Sequence, residues 1–272
     1  MTLNPFDLHG PAFLALYGLL LALTVIAGIV IPRLIRPRGR DTAMRDADGL
    51  ALLAGGPTRF ADAVLARLLA RGALAVEGKT LVVRTPEAIG NEAEAVVLGW
   101  PGPLRLKAAH LALRRHAEPI RRRLVGAGLM LDAAETAAMR RWQTAPYLLL
   151  LLFGAMKWVI GVSRDRPVGF LSALLVLTAV LALARWGAVD GRTRAGQRLV
   201  DREQARADRL RLAPMAAEMD IAVALFGTVV LAGSAHAGLH TMRQSDASSG
   251  SSDGGGGDGG GCGGGGCGGC GS

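Results

Sequence analysis

Three cysteines close the chain, spaced Cys262-x4-Cys267-x2-Cys270 among glycines. Thiolates two residues apart can share a zinc ion or an iron–sulfur cluster, and a structural zinc takes four ligands. Three are present, so His236, His240 or a second chain would have to supply the fourth. Metal binding at Cys262, Cys267 and Cys270 is one reading of this tail. A peptide modified by another enzyme is another. The default is a disordered tether or partner-docking tail over 245–272, because Ser, Asp and Gly cannot bury enough apolar surface to fold alone. No cysteine lies elsewhere, so no disulfide braces the folded part.

Other reactive residue types are scattered. His110 and His116 sit in an arginine-rich stretch and read as surface residues, not as a catalytic base. Lys157 interrupts an apolar run. A lysine there is a functional candidate by default, but it lies close enough to the end of the run to snorkel to the interface. The motifs G-x-S-x-G, H-E-x-x-H and the P-loop are absent, and the terminal glycines adjoin no strand and helix that would cradle a phosphate. The expectation is a protein that is not an enzyme and has no cofactor beyond zinc or another thiophilic metal at the tail.

The elements that must position these residues are mainly apolar helices. Half of the 272 residues are hydrophobic, only 4% are aromatic, and the mean hydropathy is +0.32. Residues 8–32 contain no charge, and a helical span of about 20 apolar residues crosses the hydrocarbon layer. A cleaved signal peptide would carry its positive charges before the run. Here Arg33, Arg36, Arg38 and Arg40 come after it. The spacing predicts an outside N-terminus over 1–10 and a transmembrane helix over 11–32. Two further runs, 146–162 and 168–187, are joined by Ser163-Arg164-Asp165-Arg166-Pro167 and read as a transmembrane hairpin. Trp142 and Trp186 fall at one end of it and Trp158 near the other, as interfacial belts do.

Lys and Arg placement gives the orientation. Residues 33–145 hold 19 of them and 185–211 hold eight, against none in 1–10. The positive-inside rule then sets the N-terminus outside and the main region in the cytoplasm of a multi-pass inner or plasma membrane protein. The segment 190–242 reads as a basic helix and then an apolar one. Its stretch 221–242 is charge-free but loosens after Leu231. Three spans are the favoured reading. A fourth span over 221–239 is the alternative, and it would move the tail outside.

The cytoplasmic region spans 41–145. A short helix over 48–54 ends at Gly55-Gly56, a second runs from Arg59 to Arg71, and two short strands, 73–76 and 80–83, flank a tight turn. Helix, helix and hairpin outline a winged-helix-like α+β module. Val64, Leu68, Leu69 and Gly72 align with Ile120, Leu124, Val125 and Gly128, so two units, 46–85 and 92–141, are expected. In the second, Leu129, Met130 and Leu131 take the place of the first strand. The net charge of +9 and the cluster Arg114, Arg115, Arg121, Arg122, Arg123 suit phosphates or anionic headgroups. The helix from Arg59 to Arg71 has little polar inventory for reading bases, so nucleic acid is the less favoured partner.

Several segments in order resemble an uncharacterised family of bacterial membrane proteins with Gly/Cys-rich C-terminal tails. They are Asn4-Pro5-Phe6-Asp7, Leu52-Leu53-Ala54-Gly55-Gly56-Pro57, Ala70-Arg71-Gly72-Ala73-Leu74, and Ala224-Leu225-Phe226-Gly227 through Leu231-Ala232-Gly233. A more distant likeness is to a broader predicted-membrane family of unknown function with a glycine-rich end. The resemblance implies architecture. It favours three spans, since the Ala-Leu-Phe-Gly segment looks there like part of a cytoplasmic domain. It implies no catalytic residues. The resulting expectation is a membrane-anchored interaction or scaffold protein, in contact with the lipid bilayer and with an unknown protein partner or anionic lipid headgroups. The alternatives are a protein whose Cys tail binds metal or is modified, and a membrane-tethered DNA-binding regulator.

Overall fold

The computed structural model describes residues 10–86, 90–163, 169–212 and 214–249. In chain order its elements are α1 (Gly10–Ile35), α2 (Ala47–Ala70), β1 (Leu74–Glu77), β2 (Thr80–Val83), α3 (Glu92–Leu98), α4 (Leu106–Gly126), α5 (Ala133–Ser163), α6 (Gly169–Gly187), α7 (Arg194–Arg206), α8 (Asp208–Leu212), α9 (Met219–Phe226) and α10 (Ala237–Ser249). The protein is mainly helical with one small two-stranded sheet. It forms two compact units. One holds Asp132–Gly191 and the described residues up to Arg36. The other holds Pro37–Leu131 and the described residues from Arg192.

The first unit is α1, α5 and α6. These are three helices long and apolar enough to cross a membrane. Their large apolar side chains stay exposed on the outer faces, among them Leu19, Leu149, Phe170 and Leu183. In water that surface would be costly, whereas lipid is its natural solvent. Inside the unit, glycines let aromatic rings approach. A Cβ on Gly28 would lie 2.8 Å from the Tyr147 hydroxyl, and one on Gly154 would lie 2.6 Å from the Tyr17 ring. Small residues at helix crossings are the usual means of close approach in lipid. The Thr178 hydroxyl donates to Leu174 O (2.7 Å), which leaves its oxygen to accept from Tyr17 (3.1 Å). At one end of the hairpin, Trp158 Nε1 donates to Ser172 Oγ (2.9 Å). At the other, Arg140 lies over the Trp186 ring (5.4 Å). Lys157 Nζ is 5.0 Å from the centre of the Phe13 ring.

One boundary differs from the sequence expectation. α5 starts at Ala133, not at 146, so the region expected to run to 145, and the second unit expected to run to 141, both stop at Leu131. The cause is a reciprocal cap. Asp132 Oδ1 accepts from Glu135 N (2.6 Å), and Glu135 Oε2 accepts from Asp132 N (3.0 Å).

The second unit is built around α2. Asp46 caps its start, and Gly55 and Gly56 (φ +69°) break it into two arms ahead of Pro57. The second arm is buried almost all round, with Phe60, Val64, Leu65 and Leu68 fully covered. α2 packs most extensively on α9, and on α4 next. Gly72 (φ +72°) closes it, with Gly72 N donating to Leu69 O and Ala73 N to Leu68 O. The same two bonds recur at the end of α4, where Gly128 (φ +73°) donates to Val125 O and Leu129 N to Leu124 O. The two helix ends are therefore alike, but the segments beyond them differ. After Gly72 comes the β1–β2 hairpin, in register Leu74↔Val83 and Val76↔Leu81. After Gly128 comes a single antiparallel bridge between Met130 and Arg192, a residue from beyond α6.

That bridge belongs to a junction where the chain leaves and re-enters this unit. Arg40 N donates to Gly128 O (3.3 Å), Thr193 N to Leu129 O (3.0 Å), Arg194 N to Pro37 O (3.0 Å) and Ala195 N to Arg38 O (2.9 Å). Thr193 also caps α7 by accepting from Gly196 N. The stretch 221–239, the alternative fourth span, is not one helix. α9 is eight residues long and ends at Gly227 (φ +83°); a short 3-10 turn and α10 come next. Val223, Leu225, Leu231 and Leu239 are buried in the core of this unit, which removes the apolar surface a span would offer to lipid.

Candidate functional site

α4 is strongly two-sided. Leu106, Ala109, Leu113, Ala117 and Leu124 recur at helical spacing and are buried. The opposite side exposes Leu111, Arg114, Arg115, Glu118 and Arg122. The five clustered arginines divide into two groups. Arg121 pairs with Glu118 (3.8 Å), and Arg123 with Asp46 (3.0 Å). Arg114, Arg115 and Arg122 make no ion pair among the described residues. They lie along the same face as Leu111, which is 70% exposed and comes about one turn before Arg114 and Arg115. The face therefore presents three unneutralised cations beside an exposed apolar side chain. Such a face attracts phosphate or carboxylate groups at a distance set by the ionic strength.

The buried charges of this unit pair with one another. Arg67 Nε donates to Glu94 Oε1 (2.6 Å), and its Nη1 reaches Asp48 Oδ1 (2.9 Å) and Asp220 Oδ2 (3.5 Å). Arg71 adds a second cation to Glu94 (3.1 Å), and Asn91 Nδ2 bonds Asp48 (3.3 Å). Burial opposes the charge on Arg67, but the hydrogen bonds and fields of Asp48 and Glu94 outweigh it and hold the guanidinium above its ordinary range. One guanidinium thus clamps α2, α3 and α9 together. A second pairing joins Asp62 to His110 (2.8 Å) and Arg243 (3.4 Å). His110 is therefore not the surface residue that the sequence suggested. Both clusters spend their donors and acceptors on each other, which makes them structural.

Neither cluster is visible in the sequence, because the partners of Arg67 lie 19, 27 and 153 residues away. The available signal was a charge inside an otherwise apolar helix, at Arg67 and Asp62. Cys262, Cys267 and Cys270 lie outside the described residues. Of the two histidines read as a fourth ligand, His240 has both ring nitrogens engaged, Nδ1 3.2 Å from Thr228 Oγ1 and Nε2 3.0 Å from Gln244, while His236 donates only its backbone N–H, to Ser234 Oγ (3.1 Å). Among the described residues no group of His, Cys, Asp and Glu could hold a metal ion.

Fold and site together define a mainly helical protein with three helices fit to cross a membrane and a separate charge-clamped helical unit. No protein-family model matches the chain, and no curated protein or solved structure matches it either.

Proposed function

We propose that this is a membrane-anchored interaction protein, whose soluble unit docks an acidic protein segment or anionic headgroups on the exposed face of α4. The observation that carries this is the set Arg114, Arg115 and Arg122, left without acids while the interior charges of the same unit are matched. In orientation the N-terminus is outside and this unit is cytoplasmic, as the Lys and Arg distribution favours. The junction supports the same topology. Chain segments after α1, before α5 and after α6 meet in one hydrogen-bonded knot, which fits a topology with these three helix ends on the same side. In fold, the two arms of α2 with the β1–β2 hairpin favour a winged-helix-like unit, and the matching ends of α2 and α4 favour a second, related one. The likeness to bacterial membrane proteins with Gly/Cys-rich tails fits this architecture.

The test is a photocrosslinking residue at position 111 of the full-length protein in intact cells. A defined protein or anionic-lipid adduct is expected, weakened at least fivefold by R114Q/R115Q/R122Q. An adduct pattern indifferent to those substitutions would overturn the reading. A DNA-binding role has less support. The helix from Arg59 to Arg71, which would read bases, is the buried centre of the unit. The Cys262, Cys267, Cys270 spacing keeps a tail that binds metal or is modified as a second reading. Intact mass spectrometry tests it, and an unmodified, metal-free tail would exclude it.

A further inference from the structure

The β1–β2 turn and the start of α4 come from distant stretches of chain, yet one backbone pairing fixes them side by side. Leu81 N donates to Leu104 O and Leu104 N to Leu81 O, each at 2.8 Å. Lys79 and Thr80 are thereby set next to Arg105 and Lys107. α10 closes the other side with Ser245 and Asp246. Between these elements is a cavity of about 340 Å³, floored by Leu106 and Met242. That volume is at the small end of ordinary ligand sites. Lys79, Arg105 and Lys107 make no ion pair among the described residues. Set against the Asp246 carboxylate, they leave the lining with an excess of two positive charges. The hydroxyls are already committed, Thr80 to Glu77 O and Ser245 to Met242 O, so recognition falls to the three cations. The start of α4 adds to the same field. Its N-cap, Arg105, makes no side-chain capping bond, and its first turn holds no acid. Cations at a helix N-terminus are unfavourable until an anion joins them.

We propose that this cavity binds a phosphate monoester, held by Lys79, Arg105 and Lys107, with the organic part against Leu106 and Met242. The site adjoins the exposed face of α4, with Lys107 one turn before Leu111, but it draws on none of Arg114, Arg115 and Arg122, so its test and that of the docking role remove different charges. A soluble metabolite and a lipid headgroup can both supply such a group.

The experiment uses the full-length protein in phosphatidylcholine nanodiscs, titrated calorimetrically with glycerol 3-phosphate. Saturable binding of one ligand per chain is expected. It should weaken at least tenfold in K79Q/R105Q/K107Q. It should stay within twofold in R45Q/R202Q/R211Q, which removes the same charge from exposed positions elsewhere. Ser245→Glu, which puts a carboxylate into the cavity and leaves the cations in place, should also abolish binding. Thermal unfolding of each variant confirms that it is folded. Adding phosphatidic acid to the discs separates the sources. Competition with glycerol 3-phosphate marks a lipid headgroup as the occupant, and no competition marks a soluble ester. No saturable binding with either probe, or equal weakening in both triple variants, would overturn the proposal.

Discussion

Arg67 shows how much one side chain can organise when its partners come from three elements. Removing it leaves Glu94 with Arg71, but Asp48 with only the neutral Asn91, in a place with little water to screen its charge. Arg67→Met should therefore cost about 3–5 kcal/mol, because losing one partner of a buried ion pair strands the other. In a unit of this size that is a fall of at least about 8 °C in melting temperature. Adding Asp48→Asn to Arg67→Met should recover part of the loss, since it removes the stranded charge, and thermal unfolding in detergent reads both. A single variant that melts with the wild type would show that the clamp is dispensable. These residues also mark the limit of sequence reading at this scale. The five clustered arginines of α4 are legible as a group, but which three stay free is decided by Glu118 and by Asp46. Asp46 lies 77 residues from its partner, Arg123.

At the scale of elements, the spans are legible because a charge-free apolar run is long-range information written locally. The α5 boundary was missed because a cap, not hydropathy, sets it. Asp132 and Glu135 close a capping box 14 residues before Pro146, where the apolar run begins. The glycine-closed ends of α2 and α4 match as the aligned residues suggest, but a strand cannot be read from three apolar residues when its partner is Arg192. Packing among the spans gives a prediction of its own. Gly28→Leu and Gly154→Leu force side chains into the Tyr147 and Tyr17 rings and should each cost about 1–3 kcal/mol by overpacking. Gly18→Leu is the control, since a Cβ there meets nothing within 4 Å. Equal unfolding temperatures for all three variants in detergent would mean that the glycine–tyrosine contacts do not hold the helices together.

At the scale of the whole molecule, the proposed topology fixes the side on which the C-terminal cysteines end. In intact cells a membrane-impermeant thiol reagent should leave Cys262, Cys267 and Cys270 unlabelled, and permeabilisation should expose them. Labelling without permeabilisation would place the tail outside and break the three-span reading. The division of 221–239 at Gly227 argues for the shielded outcome. The sequence left this point open because the stretch is charge-free, and only its burial against α2 distinguishes a core segment from a span.

The second unit is encoded on both sides of the apolar pair α5 and α6, with α2, α3 and α4 before it and α7 to α10 after it. A ribosome therefore releases the first half long before the second. Until α9 emerges, the apolar face of α2 that it covers has no permanent neighbour. The knot of Pro37, Gly128 and Arg192 cannot close before the chain beyond α6 has been made. Completion of the unit thus waits on synthesis of both apolar helices. A chain that ends before α9 should leave that face bare, in a form that chaperones and proteases can recognise.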